Sequence, residues 1–164
     1  EHIPFSANLK IPSETNKTPE NSAITYLPEG SEEFYGWEFV KPLILKYPMV
    51  KFYILGNPGI EGFNKENAIF LGWIENVDDY IKKCKVYLRR TIHDGTPILI
   101  QQSLAYGRTV LFNHDFPHCR KFDEVEFEDA IYNWSFNQEG RDFIAREYSP
   151  EIISRRLISL YEIQ

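Results

Sequence analysis

Positive charge is in short supply. The 18 Lys and Arg are outnumbered by 24 Asp and Glu, for a formal net charge of -6 and a pI near 5.3. Binding to a nucleic-acid backbone rests on clustered Lys and Arg, so no nucleic acid is expected as a partner, which leaves a single nucleotide open. Cysteine is scarce as well: Cys84 and Cys119 are the only two and show no paired spacing. A chain of 164 residues, 43% of them hydrophobic, can bury a core without a disulfide, and a reducing compartment is expected. No apolar run nears the roughly 18 residues of a spanning helix, and no basic-then-apolar leader opens the chain. The reading is of a soluble protein in the cytoplasm, with no transmembrane segment in this chain. An initial methionine is also missing, and the chain reads as a piece of something longer. Internal repeats and low-complexity tracts are absent.

What is present has a rhythm. Residues 1–22 carry three prolines and many polar residues without an apolar period, and read as a linker or interdomain arm. From Ala23 to the end at 164, strand-like and helix-like segments alternate. "AITYL", "VKFYILG", "NAIFLGWI", "KVYLRRTI" and "TVLFNH" read as strands. "GWEFVKPLILKYP" reads as a helix broken by its two prolines, "VDDYIKKC" as a short amphipathic helix and "TPILIQQSLAYG" as another. The last segment is helical in two or three pieces, with Ser149-Pro150-Glu151 a start signal for the final one. Strands that are apolar on both faces, alternating with helices, predict an α/β domain: a doubly wound, Rossmann-like parallel sheet with helices on both faces. Ligands in that architecture sit beyond the carboxyl ends of the strands, at the switch point.

The richest stretch at such an end is "HDGTPILIQQSLAYG", residues 93–107. Thr96 is a good N-cap and Pro97 suits the first helical position, so a helix mouth with free N–H groups is expected there. Such a mouth holds phosphate. Gly95 lets a ligand approach the backbone closely. Asp94 would repel a phosphate, so its natural partner is a hydroxyl of the same ligand. Gln102 lies one turn after Ile98, roughly 7.5 Å of rise beyond Pro97, and could reach a ribose. Hydroxyls, diphosphate and ribose outline a nucleotide sugar. A capped helix with no ligand carries the same signals.

The residues that carry these roles also resemble a known motif. In retaining glycosyltransferases of the two-domain GT-B fold, family 4 in particular, a glutamate, a glycine and a second glutamate open the donor-binding helix. Asp94 falls on the first glutamate, Gly95 on the glycine and Gln102 on the second glutamate, and "SLAYGRTVLF" matches the family's next segment. "AITYLPEG", "VKFYILGNPG", "NAIFLGWI" and "REYSPEIISRRLISLYEIQ" are similar to other segments of the same half, in the same order. The resemblance implies that residues 23–164 are the carboxyl-terminal, nucleotide-sugar-binding domain, and that an amino-terminal domain carrying the acceptor site is missing. It implies that Asp94 holds the sugar hydroxyls, the N–H groups of Thr96, Pro97 and Ile98 the diphosphate and Gln102 the ribose, with Gly72 and Trp73 beside the base. The catalytic residues stay unknown.

Two departures stand out. A glutamine at 102 loses the charge-assisted strength of a carboxylate. The family's Arg and Lys after the first strand are also not evident, since "PEGSEEFYGW" offers Tyr35 and three glutamates instead. Arg89 and Arg90 are the candidate replacements, and strand alternation lets at most one face the cleft.

Outside this stretch, His93 could carry a proton near the sugar, and His114, Asp115, His118 and Cys119 have spacings that could hold a metal. No second cluster completes a metal set, and the resemblance implies a metal-independent enzyme, so neither metal nor other cofactor is expected. The expected partners are a UDP- or GDP-sugar donor and an acceptor glycan or lipid-linked sugar, the whole protein working at the membrane surface in polysaccharide biosynthesis. Two alternatives stand beside this reading: a non-catalytic scaffold of the same fold, and a sugar-nucleotide epimerase of similar architecture.

Overall fold

The computed structural model describes residues 9, 11–15, 18–95 and 97–162. Its elements run in the order β1 (Ser22–Tyr26), α1 (Trp37–Lys46), β2 (Lys51–Leu55), β3 (Ala68–Gly72), α2 (Asp78–Ile81) and β4 (Val86–Arg89). They continue as α3 (Ile98–Ala105), β5 (Thr109–Phe112), β6 (Arg120–Lys121), α4 (Glu124–Tyr132), α5 (Gln138–Tyr148) and α6 (Pro150–Glu162). The strands form one sheet in the order β3-β2-β1-β4-β5-β6, with every neighbouring pair parallel.

This topology accounts for the near-continuous apolar strands, because β1 to β5 each have a core on either side. Alternation along β2 sends Phe52 and Ile54 to one core and Tyr53 and Leu55 to the other. The first core is closed by Val40, Leu43 and Ile44 of α1 and Phe127, Ala130 and Ile131 of α4. The second is closed by Ile81 of α2, Ile100, Leu104 and Ala105 of α3, and Ile144 of α5. This is the doubly wound α/β architecture expected from the sequence. Each fully buried aliphatic or aromatic side chain contributes about 1.5–3 kcal/mol.

Local differences have physical causes. Pro42 does not break α1, which runs through it and stops at Lys46, ahead of Pro48. Proline removes the bond to the carbonyl of Glu38, an exposed residue, and burial of Val40, Leu43 and Ile44 offsets that loss. Strand β6 carries no sequence signal, being two polar residues that extend the sheet edge beside Leu111 and Phe112. The β2–β3 register steps from Ile54↔Phe70 to Leu55↔Gly72, so Leu71 is an extra residue and a bulge forms. The described part of the segment before β1 packs onto the domain: Leu9 is buried in the second core, Arg141 donates to the Pro12 carbonyl, and the Glu20 N–H donates to Lys83 O at 2.8 Å.

Candidate functional site

Between β1 and β4 the order of strands reverses direction, and the loops leaving these two neighbours part to opposite faces, which opens a crevice at their carboxyl ends. Three groups of residues meet around it.

The first is a cavity of about 160 Å³ lined by Tyr26, Leu55, Gly56, Gly72, Trp73, Ile74, Val77 and Leu99. It gathers the ends of β1, β2 and β3 and the first turn of α3. Gly72 and Trp73, expected beside a base, are both on its wall. Trp73 is 78% exposed and its ring stands 6.2 Å from that of Tyr26. A side chain on Gly72 would meet no atom, although its φ of +60° is strained for any other residue. Gly56 is required by packing as well, because a Cβ there would lie 2.9 Å from the Tyr26 ring.

The second group is ionic. Arg89, the last residue of β4, donates from Nε to Asp94 Oδ2 at 2.7 Å, and both side chains are nearly buried, 11% and 12% exposed. The Thr91 hydroxyl donates to the same oxygen at 3.4 Å, and the Gly95 N–H donates to Oδ1 at 3.0 Å. Burial opposes the charge on Arg89, but Tyr87 and the Asp94 carboxylate outweigh it and hold the guanidinium pKa above its ordinary value. The guanidinium also lies 5.0 Å from the centre of the Tyr35 ring, in the loop after β1. The two arginines expected to compete for the cleft have different surroundings. Arg90 lies beyond the strand with its guanidinium 3.3 Å from the centre of the Phe39 ring, and its backbone abuts Gly36. Gly36 needs its φ of +74° and has no room for a Cβ against Arg90.

The third group is the mouth of α3. Here the geometry corrects the expected cap: Pro97 occupies the cap position, extended at φ -78° and ψ 99°, and Ile98 is the first helical residue. The Pro97 carbonyl accepts the first bonds, from Ile100 and Gln101. Since Pro97 has no N–H, the expected trio of phosphate donors fails at that residue, and Ile98 and Leu99 are the described residues whose N–H groups precede the first intrahelical bonds. Thr96 lies outside the described residues. Gly95 is exposed and a Cβ on it would meet nothing, so no packing demand explains a glycine there. Gln102 is half-buried on the second turn of α3, while its neighbour Gln101 is fully buried.

In the loop after β1, one of the three glutamates is fixed in place. Glu32 accepts from the Gly30 N–H at 3.0 Å and from Asn57 Nδ2 at 2.8 Å, which ties its carboxylate to the β2–β3 turn. Tyr26, Tyr35, Gly56, Leu99 and Thr91 complete the site without having been singled out as ligand contacts from sequence. Only the position of Tyr26 and Gly56 at strand ends could have pointed to them.

The remaining candidates disperse. His93 is exposed and its ring stands edge-on to Phe34, with centroids 4.9 Å apart. His114 turns its Nε2 to the Thr91 carbonyl at 3.0 Å, whereas His118 faces Glu139 at 3.9 Å. Among the described residues no three His, Cys, Asp or Glu side chains are placed to share a metal ion, and no helix is long and apolar enough to cross a membrane. Asp78 and Asp79 occupy the first turn of α2, where carboxylates favour the helix dipole.

No family model matches the chain, and no curated protein does. Solved structures do. Sucrose-phosphate synthase from Thermosynechococcus elongatus matches with a TM-score of 0.70 at 13% identity, over 98% of this chain and 51% of that one. A mutant of S. aureus TarM, solved in complex with Fondaparinux, alpha-GlcNAc-glycerol and UDP, matches with a TM-score of 0.68 at 14% identity, over 95% of this chain and 38% of that one. The lipopolysaccharide outer core galactosyltransferase WaaB, in its apo form, gives 0.62 at 13% identity, over 99% of this chain and 55% of that one. This chain thus spans between 38% and 55% of the length of these three. These neighbours are GT-B glycosyltransferases, and the chain shares their Rossmann-like α/β fold over about half of their length or less.

Proposed function

We propose that this chain is the donor-binding half of a retaining, family 4-like glycosyltransferase, and that the whole protein moves a hexose from a UDP- or GDP-sugar to a glycan or lipid-linked acceptor bound largely by an amino-terminal domain. The observation that carries the reading is the convergence, at one switch point, of the Gly72–Trp73 cavity, the Arg89–Asp94 pair and the mouth of α3. In this arrangement the base enters the cavity against Trp73 and Tyr26. The diphosphate lies across the N–H groups of Ile98 and Leu99, with Gly95 giving it room. Arg89, fixed over Tyr35, supplies the positive charge that the loop after β1 lacks. Gln102 meets the ribose, and the free lone pairs of Asp94 accept from the sugar hydroxyls. The rate of the whole enzyme then comes from positioning and from stabilising the departing diphosphate with helix N–H groups and a cation. The retaining outcome rests on the resemblance of residues 93–112 to the family motif.

Calorimetric titration of the chain with UDP, GDP, ADP and UDP-glucose at low salt tests this. Binding of one diphosphate in preference to the others is expected, and it names the base. A second reading, a non-catalytic module of the same fold, draws on one observation: Asp94 already neutralises Arg89, which leaves less net positive charge for a diphosphate. Silence from all four ligands, repeated with the full-length protein, would favour that reading.

A further inference from the structure

We infer that Asn113 is a positioning residue for this site, fixing the Asp94 carboxylate through Thr91. The backbone ladder between β4 and β5 ends at the pair Arg89↔Phe112. Immediately beyond it the Asn113 side chain takes over. The Thr91 N–H donates to Asn113 Oδ1 at 3.0 Å, and Asn113 Nδ2 donates to the Thr91 carbonyl at 2.8 Å. One primary amide therefore meets both backbone polar groups of a residue that is 3% exposed, with a donor and an acceptor side by side on a short stem; it shares the carbonyl with His114 Nε2 and is the side-chain partner of the N–H.

Thr91 passes the constraint on. Its hydroxyl reaches Asp94 Oδ2, beside the Arg89 Nε contact, and the next residue, Ile92, donates its N–H to the Phe34 carbonyl at 3.2 Å. The loop is thus held at its start to β5 and to the loop after β1. Past Asp94, the Gly95 N–H bonds back to the same carboxylate, so that amide reports where the carboxylate stands. No residue of the sequence motif accounts for this anchoring; it comes from the neighbouring strand.

The consequence for ligand binding rests on the donor-binding reading, whereas the anchoring does not, and the test separates the two. By amide hydrogen exchange, Asn113→Ala is expected to raise the rates at Thr91 and Gly95 about tenfold, while Ile24 and Thr25 in β1 keep their protection. By calorimetry, the same variant is expected to retain UDP affinity and to lose the extra affinity for UDP-glucose, as Asp94→Ala does. Asn113→Asp keeps the acceptor for the Thr91 N–H and loses the donor, so it should fall between the two and serves if the alanine variant does not fold. Unchanged exchange at Gly95 overturns the inference whatever the ligands do. An intact preference for UDP-glucose in Asn113→Ala, where Asp94→Ala abolishes it, overturns it too. If the unaltered chain shows no such preference, the donor reading is the one that fails, and exchange alone decides the role of Asn113.

Discussion

The two edges of the sheet use the same kinds of residue in opposite ways. At the amino edge, polar side chains just ahead of the strands close off backbone carbonyls. Asn67, before β3, donates to the carbonyls of Ile44, Tyr47 and Val50 at 3.0, 3.2 and 3.2 Å. Lys85, before β4, donates to Ile131 O at 2.6 Å, and the fully buried Arg108, before β5, to Cys84 O at 3.3 Å. At the carboxyl edge, Arg89 and Asp94 hold each other, a glycine at positive φ stands after β2 and another ends β3, and Trp73 and Ile92 are 78% and 66% exposed. Both edges use side chains to satisfy backbone groups, as Asn113 does for Thr91, but the carboxyl edge also keeps helix N–H groups, an ion pair and an aromatic face together beside a cavity.

If this division holds, changes at the amino edge lower stability and spare binding, and changes at the carboxyl edge do the reverse. Gly107→Ala should cost the most: its φ is +68° and a Cβ would sit 2.3 Å from the Phe136 ring, for a loss of about 3 kcal/mol in denaturant unfolding. Asn67→Ala should lose about 2 kcal/mol in the same measurement, since three carbonyls share its amide. Ligand affinity of both variants, taken well below their unfolding midpoints, should match the unaltered chain. A fall in UDP affinity with either would break the comparison. On the other edge, Asp94→Ala should weaken UDP-glucose by about thirtyfold and UDP far less, because only the sugar offers hydroxyls to the carboxylate. Equal losses for both ligands would remove that role from Asp94. Trp73→Ala should leave stability within about 0.5 kcal/mol and weaken UDP and UDP-glucose alike by about tenfold, the worth of one stacked base.

Glu32 gives the smallest effect and a sharper test of its tie to the turn. Its pKa is held below the ordinary 4.5 first by its own backbone N–H, then by Gly30 and Asn57 against the cost of burial. A depressed carboxyl pKa stabilises the fold fully above the unfolded value, and that stability is lost as pH falls through the folded one. Thermal midpoints measured from pH 6 down to about 3 should therefore fall less steeply for Glu32→Gln than for the unaltered chain.

Much of the architecture was legible because buried parallel strands read as apolar runs: "VKFYILG" and "TVLFNH" have no polar face to confuse them. The bounds of α3 were legible only to within a residue. Thr96-Pro97 is a good start signal, and the extended ψ of Pro97 delays the helix by one position. β6 escaped because Arg120 and Lys121 owe their strand geometry to β5 alone. The grouping of the candidate site was legible where its residues are neighbours in sequence, as from Arg89 to Gln102. What comes from elsewhere in the chain was not: Tyr35 under Arg89, Leu99 beside Trp73, and Asn113 on Thr91 are contacts made by folding.

The bulge between β2 and β3 has a consequence for length variation. The one unpaired residue, Leu71, sets the register in which Gly72 meets Leu55. Gly72, at a φ of +60°, turns the chain out of β3 and into Trp73, so deleting Leu71 would draw that turn back by one position and disturb the wall of the cavity with no change to the tryptophan itself. The tryptophan's address is thus written in a leucine that has no partner in β2.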